Sequence, residues 1–348
     1  MARFIADYNK VVGIHESGTY ANQEAGALGA AGSTFWIGQV TENSVENAQN
    51  HIETKYMGTA DRSFDTIILG PNDVTGTLTY HPHDMRLMFF AIGSIVEVSG
   101  ATATTCTHGV TEINSNVWQS PFTSGTDAQT APMSFTIEDS KQSPGTGRNF
   151  IRTVNGAVIN TATLTLTQGE KATVEIAYIG QNEKFSSGTT TTLVNSGTQA
   201  LTPYLWENTV LTVAGSPMDT ATEIKFEVNN NVTAPHYVNG SRVIGVPYAG
   251  VRSYTLSITQ DLDGTDSAFL YEQYYAGGSS FNATLDMDAD IDSVTAGSKH
   301  TIFYMSGCKI TGMDNPSTSE GTTETTIEIR PQHVTGSVYD RTHKYCPW

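Results

Sequence analysis

The two halves of this chain repeat one another in spacing, and a repeat constrains the architecture before any local pattern does. In the first half Glu46 is followed ten residues later by Tyr56, then by Arg62 and, eight residues on, by Gly70, which opens a strand-like run from Val74 to Thr79. In the second half Glu227 leads to Tyr237 at the same spacing, then to Arg242, again eight residues before Gly250, and on to Tyr254–Thr259. The parallel continues through one apolar segment per half, 82–93 and 266–277, each predicted as a short helix. The first has Asp84 as N-cap and Gly93 as stop.

Beyond each helix the pattern returns to the alternation of half-buried strands. Ser134–Asp139 sets against Asn282–Met287, Phe150–Ile159 against Thr301–Ile310, and Ala172–Ile176 against Thr325–Ile329. The expectation is two copies of one β-rich fold. The predicted divisions are an N-terminal arm over 1–35, a first domain over 36–182 with an inserted loop over 100–132, a linker over 183–202, a second domain over 203–340 and a tail over 341–348. The loop is rich in Thr, Ser, Ala and Gly. A loop that long binds something or becomes ordered on contact.

Composition agrees with a β-protein. Across 348 residues, 38% are hydrophobic and only 15% charged, with abundant Gly. The length suits two domains, each with its own core. The formal net charge of -17 argues against sequence-reading nucleic-acid binding, though an acidic lining suits a polyanion that must slide past without sticking. No apolar run is long enough to span a bilayer and no signal peptide is evident, so a protein made in the cytoplasm and without a membrane partner is expected. Cys106, Cys308 and Cys346 are odd in number and far apart, which indicates buried thiols in place of a disulfide framework.

Candidate chemistry is sparse. His81 and His83 have the two-residue spacing of a metal pair, but Pro82 intervenes and no cysteine is near, so surface histidines flanking a turn are expected. The acidic run Asp286–Asp292 places four carboxylates at period two and could attract calcium. It lacks the turn glycine and closing Glu of a calcium loop, and a solvated or lumen-facing stripe is the better reading. No nucleophile elbow or phosphate loop is present. No catalytic, cofactor-binding or metal-binding residue is therefore named, no cofactor is expected, and the chain reads as a non-enzyme.

The second half, from Pro203-Tyr204-Leu205-Trp206 and Val210–Val213 through Glu227–Val232 and Gly250–Tyr254 to Gly307–Ile310, resembles the tail tube proteins of long-tailed phages and related archaeal viruses. The first half resembles a more divergent copy. The resemblance implies antiparallel β-sandwich domains, each with one short α-helix, whose sheets neighbouring subunits complete into a continuous barrel. It further implies a structural virion protein, made in the host cytoplasm, that forms stacked rings around a conduit for the genome. Its partners would be itself, other tail proteins at the tube ends, and viral DNA passing without sequence-specific contact. Single-domain members form hexameric rings, so a duplicated chain would close as a homotrimer; a first half that is not a full tube domain would require six chains. Loop, arm and linker would make the contacts between rings.

Two other classes fit the composition. A cell-surface or virion-surface β-sandwich adhesin or carbohydrate-binding module would stay monomeric and gather aromatics in a cleft. A β-sandwich hydrolase would need a carboxylate pair that the sequence alone does not place.

Overall fold

The computed structural model describes residues 9–16, 34–35, 37–54, 66–83, 85–102, 105–112, 134–142, 149–187, 203–238, 240–262, 266–275, 278–288, 300–314 and 324–340. The first half holds β1 (Asn9–His15), β2 (Thr34–Phe35), β3 (Gln39–Thr54), β4 (Thr66–His81), α1 (Arg86–Ile92), β5 (Gly93–Thr102), β6 (Thr105–Glu112), β7 (Phe135–Gln142), β8 (Asn149–Thr167), β9 (Thr173–Gly180) and β10 (Asn182–Ser186). The second half holds β11 (Thr209–Val213), β12 (Ser216–Pro217), β13 (Ala221–Asn229), β14 (Ser253–Asp261), α2 (Asp266–Tyr275), β15 (Phe281–Asp288), β16 (His300–Asp314), β17 (Glu324–Arg330) and β18 (His333–Asp340). The fold is mainly β and antiparallel, with α1 and α2 the α-helices of the described residues.

The halves share one pairing order. In the first, β1 pairs with β7, β7 with β8 and β8 with β10, while β3 pairs with β4, β4 with β9 and β9 with β8. In the second, β11, β15, β16 and β18 follow the first sequence, and β13, β14, β17 and β16 follow the other. Even the irregularities correspond. The register shifts at Ile159/Thr161 in β8 and at Ile310/Gly312 in β16, and at Val40/Glu42 in β3 and Ala221/Glu223 in β13.

Each long strand, β8 and β16, serves two sheets, because its first part pairs on one layer and its last part on the other. The change happens at a glycine in both. Gly156 and Gly307 each have φ of 65°, left-handed backbone that favours glycine. Around the crossing Val154–Ile159 are buried without interruption, since a strand passing between layers is covered on both faces. Glu16 braces the first crossing: its buried carboxylate accepts from the Gly156 amide at 2.6 Å, from Ser134 Oγ at 2.6 Å and from Thr136 Oγ1 at 2.8 Å.

The halves are not separate bodies. β8 pairs with β13, from Thr167 opposite Glu223 to Thr161 opposite Asn229, so β3, β4, β9, β8, β13, β14, β17 and β16 form one central sheet across both halves. One flanking sheet holds β2, β1, β7, the start of β8 and β10. The other holds β12, β11, β15, the start of β16, β18, β6 and β5. The core is continuous through the joint. Phe89 of α1 lies 5.6 Å from Phe303 of β16, which lies 5.5 Å from Phe226 of β13, centroid to centroid. Burying side chains of this size contributes roughly 1.5–3 kcal/mol each, so the joint is a major source of stability.

Several expectations need correction. The region read as an arm contributes β1 to the body, and the start of the predicted linker is β10, the counterpart of β18. Residues 105–112 of the predicted inserted loop form β6, because the hairpin β5–β6 adds to the second half's sheet at β18. The N-cap of α1 is Met85, with no side-chain capping bond; Asp84 lies outside the described residues. Gly93 is the C-cap as expected. Among the described residues the central sheet is open and does not close into a barrel within one chain. The tail over 341–348, most of the arm, residues 113–133 and most of the linker also lie outside the described residues.

Candidate functional site

Three surfaces stand out: a polar face of the central sheet, the two edges of that sheet, and the far end of the β3–β4 hairpin. The polar face follows from period two, since the residues alternating with the buried core positions all point the same way. Its rows cross the joint. Glu42, Thr79, Glu175, Thr163, Glu227 and Thr255 stand side by side on six neighbouring strands, alternating acid with hydroxyl. The next row reads Ser44, Thr77, Ala177, Thr161, Asn229 and Ser253 and carries no charge.

The alternation has an electrostatic reason. Adjacent strands are about 4.8 Å apart, so the carboxylates of the first row are spaced by about 9.6 Å. That is roughly one Debye length in physiological salt, and like charges are kept from direct opposition. Where Lys225, Ser257 and Glu328 line up on β13, β14 and β17, the face forms a shallow open depression, bounded by Thr255 and Thr326. Its three carboxylates, Glu227, Asp314 and Glu328, outnumber its one lining cation, Lys225, so the depression as a whole repels a polyanion.

The edges of the central sheet are β3 and the last part of β16. Among the described residues β3 pairs only with β4, and Lys309–Asp314 only with β17. Unpaired edges of this kind invite pairing with another chain. The two helices differ sharply. All seven residues of α1 are buried, because α1 sits in the joint against β8 and β13. In α2 Leu270 is buried, whereas Tyr274 is 38% and Tyr275 69% exposed.

The hairpin β3–β4 runs beyond the core, and Ile52 and Ile68, directly opposed, are about half exposed, as are Ile67 and Leu69. Nearer the body it is held by the second half, through Asn72 N to Arg242 O at 2.8 Å, Arg242 Nε to Gly70 O at 2.8 Å, and His236 Nε2 with Asp73 Oδ1 at 2.8 Å. The length of this hairpin is not evident from the sequence. Its only signal is the run Ile67, Ile68 and Leu69, apolar without alternation beside a glycine.

Among the described residues the sequence-predicted chemistry-bearing residues do not converge. His81 Nδ1 donates to the Ala172 carbonyl oxygen at 3.0 Å, and His83 is buried, so the pair is not the surface pair expected. Asp286 is paired with His300, and Asp288 shares its face of β15; Asp290 and Asp292 lie outside the described residues. Among the described residues no three His, Cys, Asp or Glu side chains group as metal ligands. Cys308 is buried at the β16 crossing, and burial pushes its thiol up to about 11. No described helix is long and apolar enough to cross a membrane.

The phage tail tube protein family matches the chain over residues 85–335, from the start of α1 through both halves to β18. No curated protein matches it.

Proposed function

The chain belongs to the phage tail tube protein family, and we propose that it is a structural subunit of the virion tail whose two halves act as two tube domains. Three chains then close a ring of six similar wedges, and rings stack into a conduit for the genome. The observation that carries this reading is the central sheet, which runs through two halves of identical pairing order and, among the described residues, is open at both ends. One chain already contains the kind of edge-to-edge sheet junction that a ring must repeat, and closure would give each open edge a partner.

The lumen would be lined by the polar face of the central sheet. Its alternating Glu42, Thr79, Glu175, Thr163, Glu227 and Thr255 support passage of DNA without adhesion, since fixed carboxylates repel phosphates and hydroxyls add no cation. Contacts between rings would involve the β3–β4 hairpin end with its exposed isoleucines, together with the arm, the inserted loop and the linker. The role is mechanical and needs no reacting group. Electron microscopy of the purified protein tests it: rings or tubes with an open centre are expected, and a monodisperse monomer at all concentrations would overturn it.

A further inference from the structure

The joint between the halves has a structural counterpart that is missing a partner. By pairing order and matching bulges, β13 corresponds to β3, with Glu227 at the place of Glu46 and Asn229 at that of Ala48. Likewise β8 corresponds to β16, with Thr161 at the place of Gly312 and Thr163 at that of Asp314. In the joint Thr161 faces Asn229 and Thr163 faces Glu227. We propose that a second copy of the chain docks by the same geometry, its β3 pairing with the free edge of β16 so that Ala48 faces Gly312, Asn47 faces Met313 and Glu46 faces Asp314. This rests on the tube reading and supplies its missing interface.

One side chain makes the correspondence sharper. Asn230, fully buried, follows β13 and locks the joint, donating to Ala91 O and Ile159 O at 3.0 Å each while its amide N–H reaches Asn160 O at 2.8 Å. The matching position after Ala48 is Gln49, also a carboxamide, and it is exposed. In the docked copy Gln49 takes the place of Asn230, with Ile310 O and the end of α2 as its acceptors. Tyr274 and Tyr275, exposed on α2, become covered as α1 is covered by β13.

The composition of the two interfaces differs in the direction this requires. The joint within the chain never faces water and is apolar, with Ile224, Phe226 and Val228 on β13. Their counterparts on β3 are Asn43, Val45 and Asn47. The asparagine amides turn inward, Asn47 Nδ2 donating to Glu183 Oε2 at 2.8 Å, and the groups wetted until assembly are Gln49, Tyr274 and Tyr275, polar-tipped side chains that suit such a surface. The register carries one like-charge opposition, Glu46 with Asp314, so docking should strengthen with salt or with Glu46→Gln.

Paired cysteines test the register. A Cβ at Gly312 would meet only Glu328, with Oε2 at 3.3 Å and Cβ at 3.5 Å, and Ala48 is exposed, so Ala48→Cys and Gly312→Cys should both fold. Under mild oxidation the double variant should give an intermolecular disulfide ladder, while each single variant, the parent with its own three cysteines, and the offset pair Glu46→Cys with Gly312→Cys should not. Gln49→Ala should raise the concentration needed for assembly about tenfold without lowering the melting temperature of the free chain. Rings or tubes that form normally while the double variant fails to cross-link, or cross-links no better than the offset pair, would overturn the register and spare the tube reading. Absence of any assembly in the parent would overturn both.

Discussion

Gly76 and Tyr178 face one another across β4 and β9, and the tyrosine ring fills the space that a side chain on Gly76 would need, with Cζ and Oη inside van der Waals contact of any added Cβ. The equivalent pair in the second half is Leu256 and Ile329. One half uses a very small and a very large residue where the other uses two of middle size. Gly76→Ala should therefore destabilise by about 1–3 kcal/mol through overpacking, and Tyr178→Ile in the same chain should recover part of that loss. Chemical denaturation of the single and double variants gives the coupling directly. Tyr178 Oη has no hydrogen-bond partner among the described residues, so Tyr178→Phe should be neutral or stabilising.

Asn230 is predicted to be the most sensitive polar residue of the joint. Its truncation leaves the Ala91 and Ile159 carbonyls without their donor and Arg252 Nε without the Asn230 Oδ1 acceptor, now 2.7 Å away. Asn230→Ala should cost about 2–6 kcal/mol in urea unfolding, at roughly 1–3 kcal/mol for each of the two buried carbonyls, the Arg252 bond being only part-buried. A loss below 1 kcal/mol would mean that the joint does not depend on this lock.

Stability should also carry a titration from Asp139. Burial, partly offset by the Lys141 and Arg152 charges and by Asn43, holds its carboxyl above the usual 3.8. The folded protein therefore keeps this proton more tightly than the unfolded chain does. As pH rises from about 3.8 through the raised value, this group's contribution to stability falls, and it levels off above it. Asp139→Asn should melt higher than the parent at pH 7 and lose that component of the pH dependence, as measured by thermal unfolding across pH.

At the end of the β3–β4 hairpin, Ile52→Lys with Ile68→Lys should separate ring formation from stacking. Both side chains are already about half exposed, so folding should be little affected. Electron microscopy should then show isolated rings in place of tubes. Normal tubes would place the contacts between rings elsewhere.

Much of the architecture was legible in the sequence because strands announce themselves by alternation. The spacing that matched Glu46 to Glu227 predicts the same register as the structure, in which they face Thr75 and Thr255. The match of Phe150–Ile159 to Thr301–Ile310 is also in register, whereas two others are off by two residues. Phe135 corresponds to Phe281, and Ile176 to Ile327, where the alternation had set Phe135 against Ala283 and Val174 against Ile327. A slip of two leaves every side chain on its proper face, so hydrophobic pattern alone does not detect it. What the sequence withheld was partner choice. Nothing local says that β8 should take β13 as a neighbour, or β6 take β18, because an edge pairs through its backbone. The candidate surfaces share that fate. The Glu and Thr residues of the polar face are far apart in the chain, and only the register brings Glu42, Glu175 and Glu227 into one row.

The central claim is that one chain supplies two wedges of a ring. Cryo-electron microscopy of the assembled protein, with symmetry and chain count read from a single ring, tests it most directly. The account predicts three chains in a ring with threefold symmetry, an approximate sixfold repeat of sandwich domains, and each β16 edge continued by β3 of the next chain. Six whole chains around the ring, or a ring in which β3 and β16 stay unpaired, would contradict it.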